Sequence, residues 1–548
     1  MTNVSSIFRS LITYALVLPL AAVLGYLLAT PLDFSTLSTI GLVLVFLCIP
    51  LILRWHFHLL IMSWNTFAVL FFLPGRPRIW LVTAFVSLLI SAVRRTFDQR
   101  MRFLPARTII LPLLFLAGVV FITAQMTGGM GMRIFGSAAI GGLRYLLIFG
   151  AIVGFMAMTA VRIPPPKAKL FVGLFLLSTM TNVFGSLAYV VPSFMYPMFL
   201  LFPAEAGGLG SASAGPVGGS DITRSFFLSQ AGQYIFIYML ARHGIREALD
   251  TRKPGRMFLF LATIVCSMYG GFRSIFILVG LTFMVIFYLE GLLRTKLFPI
   301  FILVGILGMT AMVPMATRLP LGIQRSISFL PIEVDTIARE NAEATSEWRL
   351  AMWKSLLPEI PKYLIVGKGL AIDSNELDTQ HYLERRGAAF GGAAGSILAG
   401  DYHSGPLSVI IPFGIFGVIG FGWFLIAECR ALYRNYLYGD PALRKVNAVL
   451  YAMFLTRVFL FIFIFGGFYG DLAFFAGLIG FSISLNGGIC KPVTVVRPQM
   501  GLRKPGLASV LASATSRGGG VTHGVSVEWI PSRRNLFSWL RCLHKTRV

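Results

Sequence analysis

The chain has 548 residues, 56% of them hydrophobic and 13% charged, with a mean hydropathy of +0.78 and 47 Lys and Arg against 22 Asp and Glu, a formal charge of +25. Soluble domains carry roughly 25% charged residues, so this composition excludes a water-soluble globular fold and describes an integral membrane protein. The positive charge forms neither a basic face nor a nucleic-acid module, which excludes nucleic acid as the partner.

The basic residues gather instead in short segments between apolar runs: "RRTFDQRMRFLPAR" (94–107), "RIPPPKAK" (162–169), "RHGIREALDTRKPGR" (242–256), "RALYRNYLYGDPALRK" (430–445) and the tail after Lys491. Short loops rich in Lys and Arg mark the cytoplasmic side. Apolar runs of span length lie at 9–29, 36–54, 57–74, 78–93, 109–124, 143–161, 168–190, 225–241, 257–271, 273–291, 296–316, 404–427, 446–465 and 471–487. The first has no small-residue cleavage pattern behind it and reads as a span rather than a signal peptide. The expected fold is therefore all-α, a polytopic helical membrane protein of about 14 spans with both termini inside. Residues 1–315 would hold the first eleven spans, 316–402 a long outer loop, 403–488 the last three spans, and 489–548 a basic, disordered cytoplasmic tail. The third and fourth spans are irregular, because "PGRPR" (74–78) puts a basic turn outside, against the rule, and a re-entrant pair is the alternative there.

Three further segments carry weaker signals. The run "GGLGSASAGPVGGS" (207–220) lacks the Gly-Lys-Ser/Thr ending of a P-loop and reads as a flexible loop. The end of the tail, "NLFSWLRCLHKTRV" (535–548), spaces Leu536, Trp539, Leu540 and Leu543 as an amphipathic helix for an anionic inner leaflet, or is simply a disordered basic terminus. The five cysteines, Cys48, Cys266, Cys429, Cys490 and Cys542, fall in spans or on the inner side, so neither a disulfide framework nor a zinc site is expected.

The loop 316–402 differs in kind, holding half of the 22 acidic residues of the chain. Loops of that length without secondary structure are uncommon, and "SEWRLAMWKSLLPEI" (346–360) has helical spacing, with Leu350, Trp353, Leu357 and Ile360 on one side. A folded subdomain resting on the membrane is expected.

Under this topology Arg273, Arg349 and His403 share the outer face. Taken singly, Arg273 reads as a snorkelling interfacial arginine, Arg349 as half of a surface ion pair and His403 as a hydrogen-bonded residue at a helix start. Asp401, Tyr402 and Glu347 flank them as supporting candidates, and His381 in "DTQHYLERR" (378–386) is a weaker one. Their order carries more. "GFRSIFILVGLTFMVIF" (271–287) is an arginine opening an apolar span. "RLAMWKSLLPEIPKYLIVGKGL" (349–370) is an arginine opening an amphipathic helix with a tryptophan, then prolines and a Gly-x-Gly. "HSGPLSVIIPFGIFGVIG" (403–420) is a histidine leading into a span interrupted by proline and glycine, and three spans close the chain. Over about residues 220–480 this set resembles the O-antigen polymerase and O-antigen ligase family of membrane glycosyltransferases, with Ser404 and Phe272 where that family often has Asn and Ser.

The resemblance implies a glycosyltransferase-C-like fold and transfer of an undecaprenyl-pyrophosphate-linked saccharide to a hydroxyl acceptor at the outer face of a bacterial inner membrane. Arg273 and Arg349 would bind the pyrophosphate leaving group by charge-assisted hydrogen bonds, and His403 would be the general base, since an imidazole ordinarily titrates near 6.5. No metal and no cofactor is called for: no Asp-x-Asp pair stands on the outer face. Polymerase and ligase share this donor chemistry and differ in the acceptor, another lipid-linked repeat or a lipid A core or protein. The rival from another class is a lipid-linked oligosaccharide flippase or other transporter, which calls for charges at mid-span and for related halves; the span centres are nearly free of acid and base, and no internal repeat is visible.

Overall fold

The computed structural model describes residues 34–73, 75–98, 103–130, 141–187, 191–204, 226–372, 396–397 and 400–492, with fragments between 14 and 26. Within these the chain is all-helical, and its one pairing of extended backbone is an isolated bridge between Val69 and Arg78. The helices are α1 (Phe34–Leu47), α2 (Ile49–Trp64), α3 (Ile79–Phe97), α4 (Arg107–Met126), α5 (Gly142–Thr159), α6 (Pro165–Ser186, with 3-10 turns), α7 (Phe226–Ala248) and α8 (Pro254–Met268). They continue with α9 (Arg273–Leu289), α10 (Leu297–Met315), α11 (Leu321–Ile327), α12 (Thr336–Leu356), α13 (Gly405–Tyr438), α14 (Arg444–Phe463) and α15 (Phe468–Asn486). Eight helices among the described residues are long and apolar enough to cross a membrane, or nine if the bent pair α1–α2 counts as one, and α8 and α9 are shorter apolar helices. The molecule is a multi-pass helical membrane protein.

Expected runs and observed helices coincide closely at α3 to α6, α8 to α10, α14 and α15, while α13 runs on past the expected 404–427 to Tyr438. They part at 36–74. The run 36–54 is not a straight span, because the chain bends by 85° between α1 and α2, where Pro50 enters the first turn of α2 without an N–H to continue the ladder of α1. The run 57–74 is helical only to Trp64; residues 65–73 and 75–78 are non-helical, with Val69 and Arg78 bridged.

The core forms where α5 lies against α15 and α3, and α13 against α4 and α14. Small residues let these helices approach. Gly154 and Gly477 leave the space that the Trp64 indole fills, and Phe175 stacks on Phe481 at 4.2 Å between ring centroids. At the opposite end from the long polar segment, Asn435, Asn447, Ser482 and Asn486 hydrogen-bond across α13, α14 and α15. By contrast α10 buries none of its residues, as suits a helix whose solvent is hydrocarbon.

The segment 316–372 folds as expected into a small helical layer. Asp335 caps α12 by accepting from the Ile337 N–H at 2.9 Å, worth about 1 kcal/mol. The buried face of α12 is Ala338, Ala342, Met352 and Leu356, so the stripe read from the sequence is corrected: Leu350 and Leu357 are exposed, and only Trp353 and Ile360 of that set pack inward. A period of 3.6 over 15 residues fits two adjacent stripes, and the choice between them is made by what lies underneath.

A break in α13 fastens this layer. After Pro412, Gly414 takes φ +60 and ψ −160, freeing backbone groups that must find partners at membrane depth. The Lys368 and Gly369 N–H groups donate to the carbonyls of Ile411 and Pro412 at 2.8 and 3.0 Å, and the Ile415 N–H donates to Leu364 at 2.7 Å. The Gly-x-Gly of 367–369 and the proline-glycine interruption of the span are thus two halves of one joint. Leu370, just beyond, donates its N–H to the Tyr145 hydroxyl of α5 at 2.7 Å.

Candidate active site

Arg273 is the first residue of α9. Gly271, at φ +67, turns the chain out of α8, and Phe272 is extended, so the guanidinium emerges at the end of the bundle under α12. Its Nη2 donates to the Ala342 carbonyl at 2.9 Å and to Ser346 Oγ at 2.8 Å. Arg325 on α11 fixes the same corner: fully buried at 4% exposure, it donates to Asn341 Oδ1 at 2.7 Å, to Thr345 Oγ1 at 3.0 Å and to the Gly271 carbonyl.

Arg349 shares the face of α12 that carries Met352 and Leu356. Its guanidinium carbon stands 5.7 Å from the centre of the Phe465 ring, and its Nε is buried with no acceptor among the described residues. Burial lowers its pKa, the neighbouring charge of Arg273 lowers it further, and Asp401 opposes both. A guanidinium keeps its proton regardless. The shift therefore measures how poorly this cation is compensated.

His403 has φ +49, the left-handed region that His tolerates better than most non-glycine residues but still at a cost of roughly 1–2 kcal/mol. Its Nδ1 lies 3.1 Å from the Asp401 carbonyl oxygen and 3.2 Å from Asp401 Oδ1. A carbonyl only accepts, so Nδ1–H donates and the neutral ring keeps its lone pair on Nε2. Trp348 and Phe465 meet the imidazole edge to face, each at 5.2 Å between centroids. Phe465 is thus common ground for His403 and Arg349, while the charge of Arg273 reaches Arg349. The three residues chosen from the sequence converge at one end of the bundle.

Of the supporting candidates, Asp401 holds the imidazole directly. Burial alone would raise its pKa, but the hydrogen bond and charge of His403, with the field of Arg144, outweigh it and hold the carboxyl below its usual range. Tyr402 points into the apolar cluster of Met352, Leu356, Leu407 and Ile411, where burial pushes its hydroxyl up to about 12. Its carbonyl accepts from Trp353 Nε1 at 2.9 Å, which pins α12 to the start of α13. Glu347 is exposed. His381, the 207–220 run and the 535–548 segment lie outside the described residues.

Three residues escaped the sequence reading. Trp348 presents a buried Nε1–H with no acceptor among the described residues, beside the imidazole. Arg325 sits in "LGIQRSI" (321–327), where nothing separates it from a surface arginine. Arg144 begins α5 in "GGLRYLL" (141–147); an arginine at a span end is the signal that singled out Arg273, and it was available here too. What the assembly can do chemically follows from its unspent groups. Two guanidinium groups that form no ion pair with a described residue can hold an oxyanion, and Nε2 can accept a proton.

No curated protein matches the chain. Residues 258–422, just under a third of its length, match the family model described as O-antigen ligase, and that stretch contains Arg273, Trp348, Arg349, Asp401 and His403. On that match the family resemblance carried by the three motifs is borne out, and this multi-pass membrane protein holds a region, 258–422, that is similar to the O-antigen ligase family.

Proposed function

We propose that the protein transfers an undecaprenyl-pyrophosphate-linked oligosaccharide to a hydroxyl acceptor at the outer face of a bacterial inner membrane. The observation that carries this reading is the pair of buried donors with no acceptor among the described residues, Trp348 Nε1–H and Arg349 Nε–H, standing beside an imidazole whose Nδ1 is already committed to Asp401. The basic segments at the opposite ends of the helices support the outer placement.

In this reaction the bond between the anomeric carbon and the pyrophosphate oxygen breaks as the acceptor oxygen forms the new glycosidic bond. The leaving group gains negative charge, which Arg273 and Arg349 stabilise from fixed positions; donors already held in place need no reorganisation as the charge develops. The acceptor hydroxyl loses its proton to Nε2 of His403, and Asp401 stabilises the imidazolium that results. Phe465 and Trp348 set the ring plane. The products are the lengthened or transferred saccharide and undecaprenyl pyrophosphate.

Incubation of the purified chain with lipid-linked saccharide, with products resolved by size, tests the reading. Ladders of longer lipid-linked chains identify a polymerase; release of the pyrophosphate lipid only when a non-lipid-linked acceptor is added identifies a ligase. No turnover, with movement of the donor across liposomes, would replace the reading with a flippase.

A further inference from the structure

A cavity lies apart from the site residues. It has a volume of about 280 Å³ and runs from residues 65–67 and Arg78 toward mid-span between α6, α7, α9, α14 and α15. One turn of chain, 464–467, separates it from the site: Phe465 on that turn touches His403, while Asp471 on the cavity side accepts from Arg457 Nε and from the Gly467 N–H at 2.8 Å. The volume falls just below the usual range of ligand pockets, roughly 300–1,000 Å³, and suits a single small group.

Its lining is unlike a lipid groove. Asn182 is 5% exposed and lines the cavity, and its Oδ1 has no donor among the described residues. Gln233, Arg78 and Arg457 join it, against the rings of Trp64, Trp80 and Tyr469. The two indoles meet at 5.0 Å and 55°, and the Trp64 N–H is spent on the Ala473 carbonyl at 3.2 Å, so Trp64 offers ring surface rather than a donor. A hydrocarbon tail would leave the Asn182 carboxamide oxygen without a donor in an apolar medium. A pyranose satisfies both halves: its C–H face packs on aromatic rings and its hydroxyls donate to and accept from amide groups.

We propose that this cavity binds a saccharide residue of the donor or acceptor chain, held by Asn182 and Gln233 against Trp64, Trp80 and Tyr469. The inference rests on the glycosyltransferase reading for its setting, but it is a binding site and is tested without turnover. Its position, one turn from His403, suits a sugar held while another is transferred.

The test is saturation-transfer NMR on the full chain in a detergent without a sugar headgroup, with methyl glycosides of a neutral hexose, an N-acetylated hexose and a hexuronic acid as probes. At least one probe is expected to show saturable transfer, weakened about tenfold by Asn182→Ala, the loss of one buried hydrogen bond, and retained by Asn182→Asp, which keeps the acceptor. Gln233→Leu gives a second reading should Asn182→Ala not fold. Displacement of the probe by lipid-linked donor assigns the sugar to the donor, and displacement by a soluble acceptor oligosaccharide assigns it to the acceptor. Absence of saturable transfer from every probe, or transfer that neither variant changes, overturns the proposal and leaves a cavity filled by about nine waters at about 30 Å³ each. Binding that persists in a chain inactive on all donors removes the transferase reading alone; no binding in an active enzyme removes this site alone.

Discussion

Asp401 grips His403 twice, through its carbonyl oxygen at 3.1 Å and its Oδ1 at 3.2 Å from the same ring nitrogen. Both contacts fall on Nδ1, so both favour the tautomer that leaves the lone pair on Nε2. Asp401→Asn keeps an oxygen in reach but removes the charge that supports an imidazolium, and is expected to lower kcat about 10- to 100-fold, the worth of a hydrogen bond to a charged group. The carboxyl is held below its usual range. Its contribution is therefore complete at any pH above its unfolded value, about 3.9, and is lost only as pH falls through the lower folded value. Asp401 should stay ionised throughout pH 5.5 to 8, seen as a carboxyl carbon resonance that does not move with pH; a resonance that shifts across that window would show that Asp401 titrates there.

The left-handed backbone at His403 separates function from stability. His403→Gly relieves a strain of roughly 1–2 kcal/mol and should raise the thermal midpoint, while transfer falls about 10²- to 10⁴-fold with the general base gone. His403→Asn, tolerated at positive φ, should be as stable as the wild type and equally inactive. A less stable glycine variant would mean that the imidazole is structural.

Arg349 and Arg273 should behave differently under the same substitution. Arg349 has a like charge for a neighbour and a buried Nε with no acceptor among the described residues, so Arg349→Met is expected to match or exceed the wild type in stability while losing about 10²- to 10³-fold in rate, the usual cost of an oxyanion donor. Arg273 ties α9 to α12 through Ala342 and Ser346. Arg273→Met should lose rate and also about 1.5–3 kcal/mol of stability. Lysine at either position should restore only part of the rate, because a point charge cannot reproduce a planar fork. Thermal melts beside initial rates decide each case.

Gly414 tests the joint under the site. A Cβ there would stand 2.6 Å from the Leu364 carbonyl oxygen and 2.7 Å from that of Ile365, at a φ that glycine alone adopts freely. Gly414→Ala should loosen residues 364–370 from α13, seen as faster hydrogen exchange at Lys368, Gly369 and Ile415 with a fall in activity. Unchanged exchange would mean that the break is closed by other contacts.

Much of this was legible in the sequence, for a physical reason: hydropathy sets spans, and spans fix which loops share an end of the bundle. Arg273, Arg349 and His403 could therefore be placed together before any coordinates. The side chain of Arg349 belonged to a stripe the period left undecided, since Leu350 and Leu357 fit a helix as well as Met352 and Leu356 do. The bend at Cys48 escaped because apolar content measures preference for lipid and not straightness. Trp348 and Arg325 escaped because an orphaned donor and a three-way tether are properties of packing, and packing has no short sequence signature.

The most direct measurement is release of undecaprenyl pyrophosphate from lipid-linked saccharide by the purified wild type and by His403→Ala, both confirmed folded by thermal melt. The account predicts multiple turnovers by the wild type and a rate about 10²- to 10⁴-fold lower for the variant. Equal rates would contradict it and would move the proton acceptor away from His403.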